Sequence, residues 1–563
     1  MIKSSYFNFK KYRDFNNNEE GDDQFVSTED LKKEYKSVPD KTKSFSGYGG
    51  FPVGHLMGHN LYALSLKKKM TKISLVKRLS QAEKVLGLYK KLAGEYLIDD
   101  DTVNAIIIGM TRSGKGETIV NTMLDIISRA EKQSAMIIGD PKGELYQSSY
   151  KTLRKRGYDV EVLSFQNMDW SMSYNPLALA VEYAKKGYYE DVQAQVLSVA
   201  NAIFAEKDAK DKFWQNSNIG LFQATAIALI DRAKETEYEE DDAWATITIR
   251  NILQFITDLG SQEVLVDGNG EIVTDPQPQQ QLMKKSKLTL YFEELKKVNE
   301  KKASKFRNMA IAIFQGTDFA SEETKGNIYT GFFSGLTLYL QDNIAKLTSK
   351  NSIKLETIGH PRILNVRFRS STMEDAANKF AHQTAVVKFV DENGKTLIKE
   401  TKSIIDINGY INFVVSPVLP EKFKIIIDIN GETWELDNKK LYEKKGLGKN
   451  SYILDEYSGK KIIKGIQTSI AKSPKGSLLE KKDIDFSYSE KLKAIFLVTP
   501  PNKVVYNSIV SLFIDQVFNV NYELALSAGR KTVDRIQFIL DEFANLPTQI
   551  WIRNCPLVLA KIS

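Results

Sequence analysis

The sequence has 563 residues, of which 42% are hydrophobic, 10% aromatic and 26% charged. This length predicts about three to four domains and excludes a single compact domain, because one hydrophobic core stops growing near roughly 250–300 residues. The composition is that of a globular protein and excludes a disordered or fibrous chain. Lys and Arg number 78 against 71 Asp and Glu, and this net charge of +7 permits nucleic-acid binding without requiring it.

Cysteine usage and hydropathy indicate the compartment. Cys555 is the only cysteine, which excludes an internal disulfide framework and a Cys-based metal cluster and predicts a reducing compartment. The sequence has no run of about 18 apolar residues, and residues 1–20 lack the apolar segment of a signal peptide. The sequence as given therefore predicts a soluble or peripheral chain, and membrane helices upstream of Met1 are compatible with it.

An alternating pattern of strands and helices begins near residue 103 and returns towards the end of the chain. Residues 103–108 form an apolar run rich in β-branched side chains, followed by a glycine loop and an amphipathic helix. Further buried strands are predicted at residues 135–139, 159–165, 494–498 and 537–540. Strands that alternate with helices predict an α/β fold with a parallel sheet.

Two stretches interrupt this pattern. Between about residues 177 and 344 the strand signal disappears, and long amphipathic segments predict an all-α insertion. From about residue 384 to 436 apolar residues alternate with polar ones, and Asn408-Gly409 and Asn430-Gly431 are turn signals. This pattern predicts a small antiparallel β insertion.

The glycine loop carries the most informative motif. Residues 109–118 match Gly-x-x-x-x-Gly-Lys, the P-loop or Walker A pattern, between a predicted strand and a predicted helix. Glycines let backbone N–H groups curl around a triphosphate, the helix N-terminus adds its positive dipole, and Lys115 supplies a charge for the β and γ phosphates. The residues predicted to contact ATP are Gly109, Thr111, Arg112, Ser113, Gly114, Lys115, Gly116, Glu117 and Thr118.

One position departs from the usual pattern. Gly116 stands where Ser or Thr usually binds Mg²⁺, so Thr118, Thr111 or a water must complete the metal shell. Because the motif is short, a purely structural strand-to-helix turn is the alternative interpretation.

A pair of carboxylates follows the last predicted strand. Asp541 and Glu542 come directly after the apolar run that ends at Leu540. This Walker B arrangement points Asp541 towards Mg²⁺ and Glu542 towards the water that attacks the γ-phosphate. Adjacent acids at a strand end are also common surface residues, but a P-loop upstream in the same α/β pattern favours the catalytic interpretation.

A third polar loop follows the strand at residues 135–139. It contains Asp140, Pro141, Lys142 and Gly143. Asp140 could cap the next helix. Alternatively, Asp140 and Lys142 could contact a nucleotide at the carboxyl edge of the sheet, where open α/β folds bind ligands.

Four segments together make the sequence similar to a known family. Residues 111–116, 140–145, 174–177 and 540–546 resemble, in this order, the TraG/TraD type of conjugative coupling ATPase of type IV secretion systems. The similarity runs from about residue 29 to 547. In that family Gly is usual after the P-loop Lys, as at Gly116.

The resemblance implies a fold and an activity. It implies a RecA-like P-loop NTPase of the α/β class, with a parallel sheet and an inserted all-α domain, that uses ATP and Mg²⁺. It implies a homo-hexamer that drives single-stranded DNA, with its attached relaxase, into the channel proteins of a type IV secretion system. N-terminal helices would anchor it at the cytoplasmic face of the cell membrane. A non-hydrolysing docking subunit for secretion substrates and a double-stranded DNA translocase are the alternatives.

Pattern and resemblance together give a domain order. We predict an extended lead-in at 1–60, a first part of the nucleotide-binding domain at 61–185, the all-α insertion at 186–345, a return to the nucleotide-binding domain at 346–383, the β insertion at 384–440, a second nucleotide-binding part at 441–547 and an atypical tail at 548–563. The family would continue with further strands after Pro547, so a truncated tail and impaired activity of this exact chain are expected. The family's anchoring helices would precede Met1.

Overall fold

The computed structural model describes most of the chain, and the described residues divide into two compact units. The first unit comprises the described residues before Thr102 and residues 107–132, and the second comprises residues 102–106 and the described residues from Gln133 onwards. The described residues are 28–40, 44–56, 94–108, 114–204, 212–240, 242–268, 271–274, 282–317, 322–372, 377–446, 448, 451–500 and 502–542.

The first unit combines short strands with helices. Its elements are α1 (Thr28–Glu34), β1 (Lys36–Pro39), β2 (Phe45–Tyr48), β3 (Phe51–Leu56), β4 (Glu95–Asp99), a π-helical turn (Gly116–Val120), α2 (Asn121–Arg129) and β5 (Ala130–Lys132). Strands β1, β4 and β3 form an antiparallel sheet in that order, and β2 pairs in parallel with β5. Residues 28–56, within the predicted extended lead-in, therefore contribute a helix and three strands.

A small apolar core holds α2 against this sheet. Val38 of β1, Ile98 of β4 and Ile126 of α2 are buried together. The side chain of Arg129, at the end of α2, is also buried, and its Nη2 donates to the carbonyl of Pro39 at 2.9 Å. This hydrogen bond thus holds the C-terminal end of α2 against β1.

Residues 103–108 do not form the buried strand that their apolar pattern predicts. They have no regular secondary structure, and Ile106 and Ile108 are 89% and 94% exposed. This prediction was wrong because an apolar run becomes a buried strand only where another strand accepts and donates its hydrogen bonds. No strand of the described chain pairs with this run. The helix predicted after the glycine loop is present.

The second unit contains the remaining elements. Its helices are α3 (Glu144–Lys155), α4 (Ala178–Lys186), α5 (Tyr189–Phe204), α6 (Lys212–Thr236), α7 (Ile249–Gly260), α8 (Lys287–Lys301), α9 (Lys305–Thr317), α10 (Glu322–Leu336), α11 (Asp342–Leu347) and α12 (Asn507–Ser527). Its strands are β6 (Ala135–Gly139), β7 (Asp159–Ser164), β8 (Glu263–Val266), β9 (Met283–Ser286), β10 (Arg362–Arg367), β11 (Thr384–Val390), β12 (Thr396–Ile404), β13 (Tyr410–Val414), β14 (Lys424–Ile429), β15 (Glu432–Tyr442), β16 (Ile463–Lys472), β17 (Ile484–Tyr488), β18 (Lys493–Val498) and β19 (Ile536–Leu540). Short 3₁₀ turns lie at Met168–Trp170, Ala243–Thr246, Thr337–Leu340, Leu355–Ile358, Lys481–Asp483 and Val504–Tyr506.

A four-stranded parallel sheet forms the centre of the second unit. Its order is β19-β6-β18-β7, and each of the three pairings is parallel. All of β6 is buried, as its unbroken apolar sequence requires. This sheet confirms the predicted strands at 135–139, 159–165, 494–498 and 537–540, and with them a mixed α/β architecture.

Helices α4 to α11 follow β7 and confirm the predicted helical segments, but α6 is buried on nearly all sides rather than amphipathic, since residues 217–228 are all buried. Their apolar faces form one continuous core with the parallel sheet, and this core includes Phe222 of α6, Phe332 of α10 and Ile137 of β6. The predicted absence of strands was wrong at one place, because β8 and β9 pair as an antiparallel ladder. Strand β9 reads Met-Lys-Lys-Ser, so its own residues carry no strand pattern and only the pairing with β8 defines it.

The β-rich region contains two antiparallel sheets. One has the order β12-β11-β14-β15-β16, and the other has the order β13-β10-β17. They share a core around Phe389, Phe423 and Trp434. The strands extend from Arg362 to Tyr488, on both sides of the predicted insertion at 384–440.

The length and hydropathy of the described helices show whether any of them could cross a membrane. None in the described part of the chain combines the length and the apolar character needed to cross a bilayer.

The domain boundaries that the sequence predicts stay predictions.

Candidate functional site at the carboxyl edge of the parallel sheet

Two adjacent parallel strands end side by side and bring their following loops together. Gly139 is the register partner of Leu540 at the ends of β6 and β19. An added Cβ at Gly139 would lie 3.3 Å from the Cα of Leu540, so glycine permits this close approach. The backbone N–H of Asp541 then donates to the carbonyl of Gly139 at 3.4 Å. The residues that follow both strands therefore share one edge of the sheet.

Asp140 is the buried member of this edge. It is 2% exposed, and its Oδ2 accepts a hydrogen bond from the backbone N–H of Tyr146 at 2.8 Å, in the first turn of α3. Burial raises the pKa of Asp140, and the nearby charge of Asp541 raises it further, while backbone N–H donors from Tyr146, Leu145 and Gly143 oppose the rise. The helix-capping role considered for Asp140 is present in the structure.

Gly143 shapes the loop between β6 and α3. Its φ is +75°, a left-handed conformation that favours glycine. Its N–H donates to the carbonyl of Asp140 at 3.1 Å, which closes the tight turn. Lys142 is therefore carried on a loop with a defined backbone.

Asp541 and Glu542 form the second half of the edge. The backbone N–H of Glu542 donates to Oδ1 of Asp541 at 3.0 Å. Glu542 has a φ of +52°, which is uncommon for a residue with a side chain and is found at functional sites. Its Oε1 lies 3.9 Å from Nζ of Lys142, and these side chains are 37% and 55% exposed.

The described part of the predicted glycine loop belongs to the first unit. Gly114 has a φ of +84°, and its carbonyl accepts the N–H of Thr118 at 2.8 Å. Lys115 is half-buried, and Thr118 is exposed. The π-helical turn that begins at Gly116 continues directly into α2. Helical turns of this type recur at functional sites.

The space around Gly116 and Gly114 shows whether packing requires glycine at these two positions, the first of which usually has a Ser or Thr hydroxyl. No described atom lies within 4 Å of a Cβ placed on Gly116, so packing in the described region does not require glycine there. A Cβ on Gly114 would lie 3.3 Å from Oγ1 of Thr118. The hydroxyl of Thr118 thus lies next to Gly114.

The predicted site residues therefore fall into three groups. Asp140, Lys142, Asp541 and Glu542 meet at one edge of the second unit. Gly114, Lys115, Gly116, Glu117 and Thr118 belong to the first unit. Gly109, Thr111, Arg112 and Ser113 lie outside the described residues, as does the tail at 548–563. The roles of all these residues stay predictions.

Comparison with known protein families adds an independent observation. A family model described as type IV secretory system conjugative DNA transfer matches residues 61–387, more than half of the chain. The chain belongs to this conjugative DNA transfer family. Membership confirms the resemblance to TraG/TraD-type proteins. No curated protein matches the sequence.

The matched range has a consequence for this conjugative DNA transfer protein. It includes the glycine loop at residues 109–118 and the loop with Asp140 and Lys142, and it ends within β11. Asp541 and Glu542 lie beyond it. The case for this acidic pair therefore depends on its position at the end of β19, beside β6.

Sequence reasoning missed two contributors to the edge. Gly139 brings the strand ends together, and Thr499, which follows β18, is buried next to that edge. Strand β18 lies between β6 and β7, so Thr499 is at the same end of the sheet as Asp140. A polar residue directly after an apolar strand was the available signal, as it was for Asp140.

The oxygen donors suit the cofactor expected for this conjugative DNA transfer protein. Mg²⁺ is usually held by one or two carboxylates together with phosphate oxygens and waters. Asp541 offers a carboxylate at a strand end, and Thr118 offers an exposed hydroxyl. Within the described residues, no group of three or more His, Cys, Asp or Glu is placed to hold a metal by itself. The carboxylate of Asp541 therefore suits a metal whose other ligands are phosphate oxygens and waters.

Proposed function

We propose that this chain is the ATP-hydrolysing coupling protein of a type IV secretion system, and that it moves single-stranded DNA with its attached relaxase into the secretion channel. One observation carries the proposal: Asp541 and Glu542 follow a parallel strand and meet the loop of Asp140 and Lys142. Carboxyl ends of parallel strands are where open α/β sheets bind ligands. Family membership supplies the biological setting.

A RecA-like nucleotide-binding fold is part of this proposal. It is supported by the parallel order β19-β6-β18-β7, with the acidic pair at the end of β19. It is also supported by the chain order, in which a glycine loop and helix α2 precede β6 and the helices α4 to α11 are inserted between β7 and β18. Comparable insertions leave a central sheet intact because they enter at loops.

Each site residue then has a chemical role. The ammonium of Lys115 and the N–H groups of the glycine loop bind the β and γ phosphates of ATP. Asp541 would hold Mg²⁺ through a carboxylate oxygen, and the bound metal would neutralise charge that develops on the phosphates. Glu542 orients a water and takes its proton. Asp140 keeps the neighbouring loop and α3 in place through its bond to Tyr146.

The partners follow from the family rather than from a surface of this chain. We propose a homo-hexamer at the cytoplasmic face of the cell membrane that contacts the channel proteins of the secretion system. In this arrangement Lys and Arg side chains contact the phosphates of the DNA strand, since the net charge is +7.

The test is ATP hydrolysis by the purified chain, with and without single-stranded DNA and Mg²⁺. Lys115→Ala is expected to abolish hydrolysis and to weaken ATP binding, because the residue supplies the principal charge for the phosphates. Lys151→Ala, at an exposed lysine on α3, is the matched control and should behave as wild type. ATP binding without hydrolysis by the wild type would favour the docking-subunit alternative, and a wild type that binds no ATP would contradict the proposal.

A further inference from the structure

We infer that Lys142 is a positioning residue for Glu542, with its ammonium restricting where the glutamate carboxylate points. This inference rests on the proposed function, since it takes Glu542 as the group that orients the attacking water. The observation behind it is the approach of Lys142 Nζ to Glu542 Oε1, at 3.9 Å. A side chain that restrains a catalytic carboxylate affects the rate even when it does not touch the substrate.

The approach of Lys142 to Glu542 is set by the sheet. Strands β6 and β19 pair in register up to Gly139 and Leu540, so the two loops start from adjacent points. The bond from the N–H of Asp541 to the carbonyl of Gly139 continues this pairing beyond the last strand residue. Lys142 and Glu542 are therefore three and two residues past a shared register position.

The loop that carries Lys142 is restrained on both sides. Before it, Asp140 is buried and bonded to Tyr146 of α3, and Pro141 has a ring-fixed φ. After it, Gly143 closes the turn through its N–H bond to the carbonyl of Asp140. Because the backbone on either side is held, the Cα of Lys142 has a defined position from which its ammonium reaches Glu542 at the end of β19.

Glu542 has a defined backbone and a partly exposed side chain. Its left-handed φ and its N–H bond to Asp541 fix the direction in which the side chain starts. The side chain itself is 37% exposed. A partly exposed ion pair contributes little to stability, so the effect of Lys142 should appear in turnover rather than in folding.

This role differs from the nucleotide contact that the sequence predicts for Lys142, and kinetics separate the two. A residue that binds ATP equally in the ground state and the transition state changes KM and leaves kcat unchanged. A residue that orients Glu542 lowers kcat and leaves KM unchanged. It also has no effect once the carboxylate of Glu542 is gone, because the two substitutions then act on the same step.

The experiment measures ATP turnover by the full chain with Lys142→Ala, Lys142→Arg, Glu542→Gln and the Lys142→Ala/Glu542→Gln double variant. Lys142→Ala should lower kcat about three- to tenfold at unchanged KM for ATP. Lys142→Arg should restore most of the rate, because it keeps a cation at similar reach. The double variant should be no slower than Glu542→Gln alone. Lys151→Ala is the control on α3 and should match wild type.

Four results would overturn the inference while leaving the proposed function in place. They are an unchanged kcat in Lys142→Ala, a raised KM with unchanged kcat, a raised kcat, and an equal fold loss in the Glu542→Gln background. A wild type without ATP hydrolysis, or a Glu542→Gln variant at full rate, would overturn the proposed function and this inference together.

Discussion

Asp541 and Glu542 are adjacent, yet their carboxylates have different surroundings, and we expect them to have different roles. Asp541 accepts the N–H of Glu542, which holds its carboxylate close to the strand end, whereas Glu542 extends towards Lys142. Asp541→Asn should weaken Mg²⁺-dependent ATP binding, because it removes a metal-binding charge. Glu542→Gln should retain ATP binding and lower kcat by about 10²–10⁴, the usual contribution of a general base.

Two measurements on the same preparations check this division: the Kd for ATP with and without Mg²⁺, and kcat. Equal loss of ATP binding in both variants would argue against separate roles. Since Glu542 is partly exposed, neither variant should change the midpoint of thermal unfolding by more than a few degrees.

A buried arginine in the helical region provides a prediction about stability. Arg307 of α9 donates from Nε to Asp231 of α6 at 2.9 Å, and the two side chains are 1% and 3% exposed. Removing one partner leaves a buried charge uncompensated, so Arg307→Ala should lower the free energy of unfolding by about 3–5 kcal/mol. Arg250 pairs with Asp342 at the same 2.9 Å, but these side chains are 44% and 91% exposed. Arg250→Ala should cost about 1 kcal/mol or less.

Urea unfolding followed by circular dichroism at 222 nm measures both arginine variants. The two pairs share a contact distance of 2.9 Å and differ in burial, and Arg307 also pairs with Glu235 and donates to the carbonyl of Lys302. Similar costs for Arg307→Ala and Arg250→Ala would show that burial of the pair does not decide its contribution.

At the scale of single elements, helix α12 contains a carboxylate in an apolar setting. Asp515 is buried, and burial raises its pKa to about 6, partly opposed by a hydrogen bond with Asn519. The folded state therefore holds a proton more tightly than the unfolded state, and the wild type loses stability as pH rises from about 4 to 6. Asp515→Asn removes this penalty. The variant should gain about 2–3 kcal/mol over wild type at pH 7 and little at pH 4.

The measurement for Asp515→Asn is the difference in free energy of unfolding between variant and wild type at several pH values. Taking a difference cancels the titration of other groups that the two proteins share. A gain that is constant from pH 4 to pH 7 would contradict the assignment to Asp515.

The elements also show what a sequence can and cannot specify. The strands of the parallel sheet were predictable because β6 and β18 are unbroken apolar runs, buried on both faces. The run at 103–108 has the same signal and is exposed in the structure, since pairing depends on partners that its own residues do not encode. Strand β9 is the opposite case, because it pairs although two of its four residues are lysines.

The candidate site also combines features that the sequence predicts with features that it does not. Motif spacing was enough to single out Asp140, Lys142, Asp541 and Glu542, and the parallel register brings them to one edge. The contact between Lys142 and Glu542 was not predictable, because it depends on the register of strands that are distant in sequence. The left-handed backbone of Glu542 has no sequence signal, since glycine is the residue that usually marks such a conformation.

For the whole molecule, DNA binding should be independent of sequence and sensitive to salt. The positive charge is spread along the chain, and the sequence contains no zinc finger or other base-reading motif, so contacts to phosphates are the available mode. With about five such contacts on a single strand, the slope of log affinity against log salt should be roughly −3 to −4. Titrations of unrelated oligonucleotides at several salt concentrations measure it. Strong preference for one sequence, or binding that ignores salt, would contradict phosphate contact.

The pairing of β6 with β19 has a consequence for how the protein is made. The two strands are separated by about 400 residues, so a ribosome that adds roughly 5–20 residues per second takes about 20–80 s to pass from one to the other. For most of that interval the nascent chain carries β6, a strand that is wholly buried in the finished protein, without its neighbours β18 and β19. Such a strand is a target for aggregation or for a chaperone. The edge that carries Asp541 and Glu542 is thus among the last features to assemble, and under the proposed mechanism a partly synthesised chain cannot hydrolyse ATP.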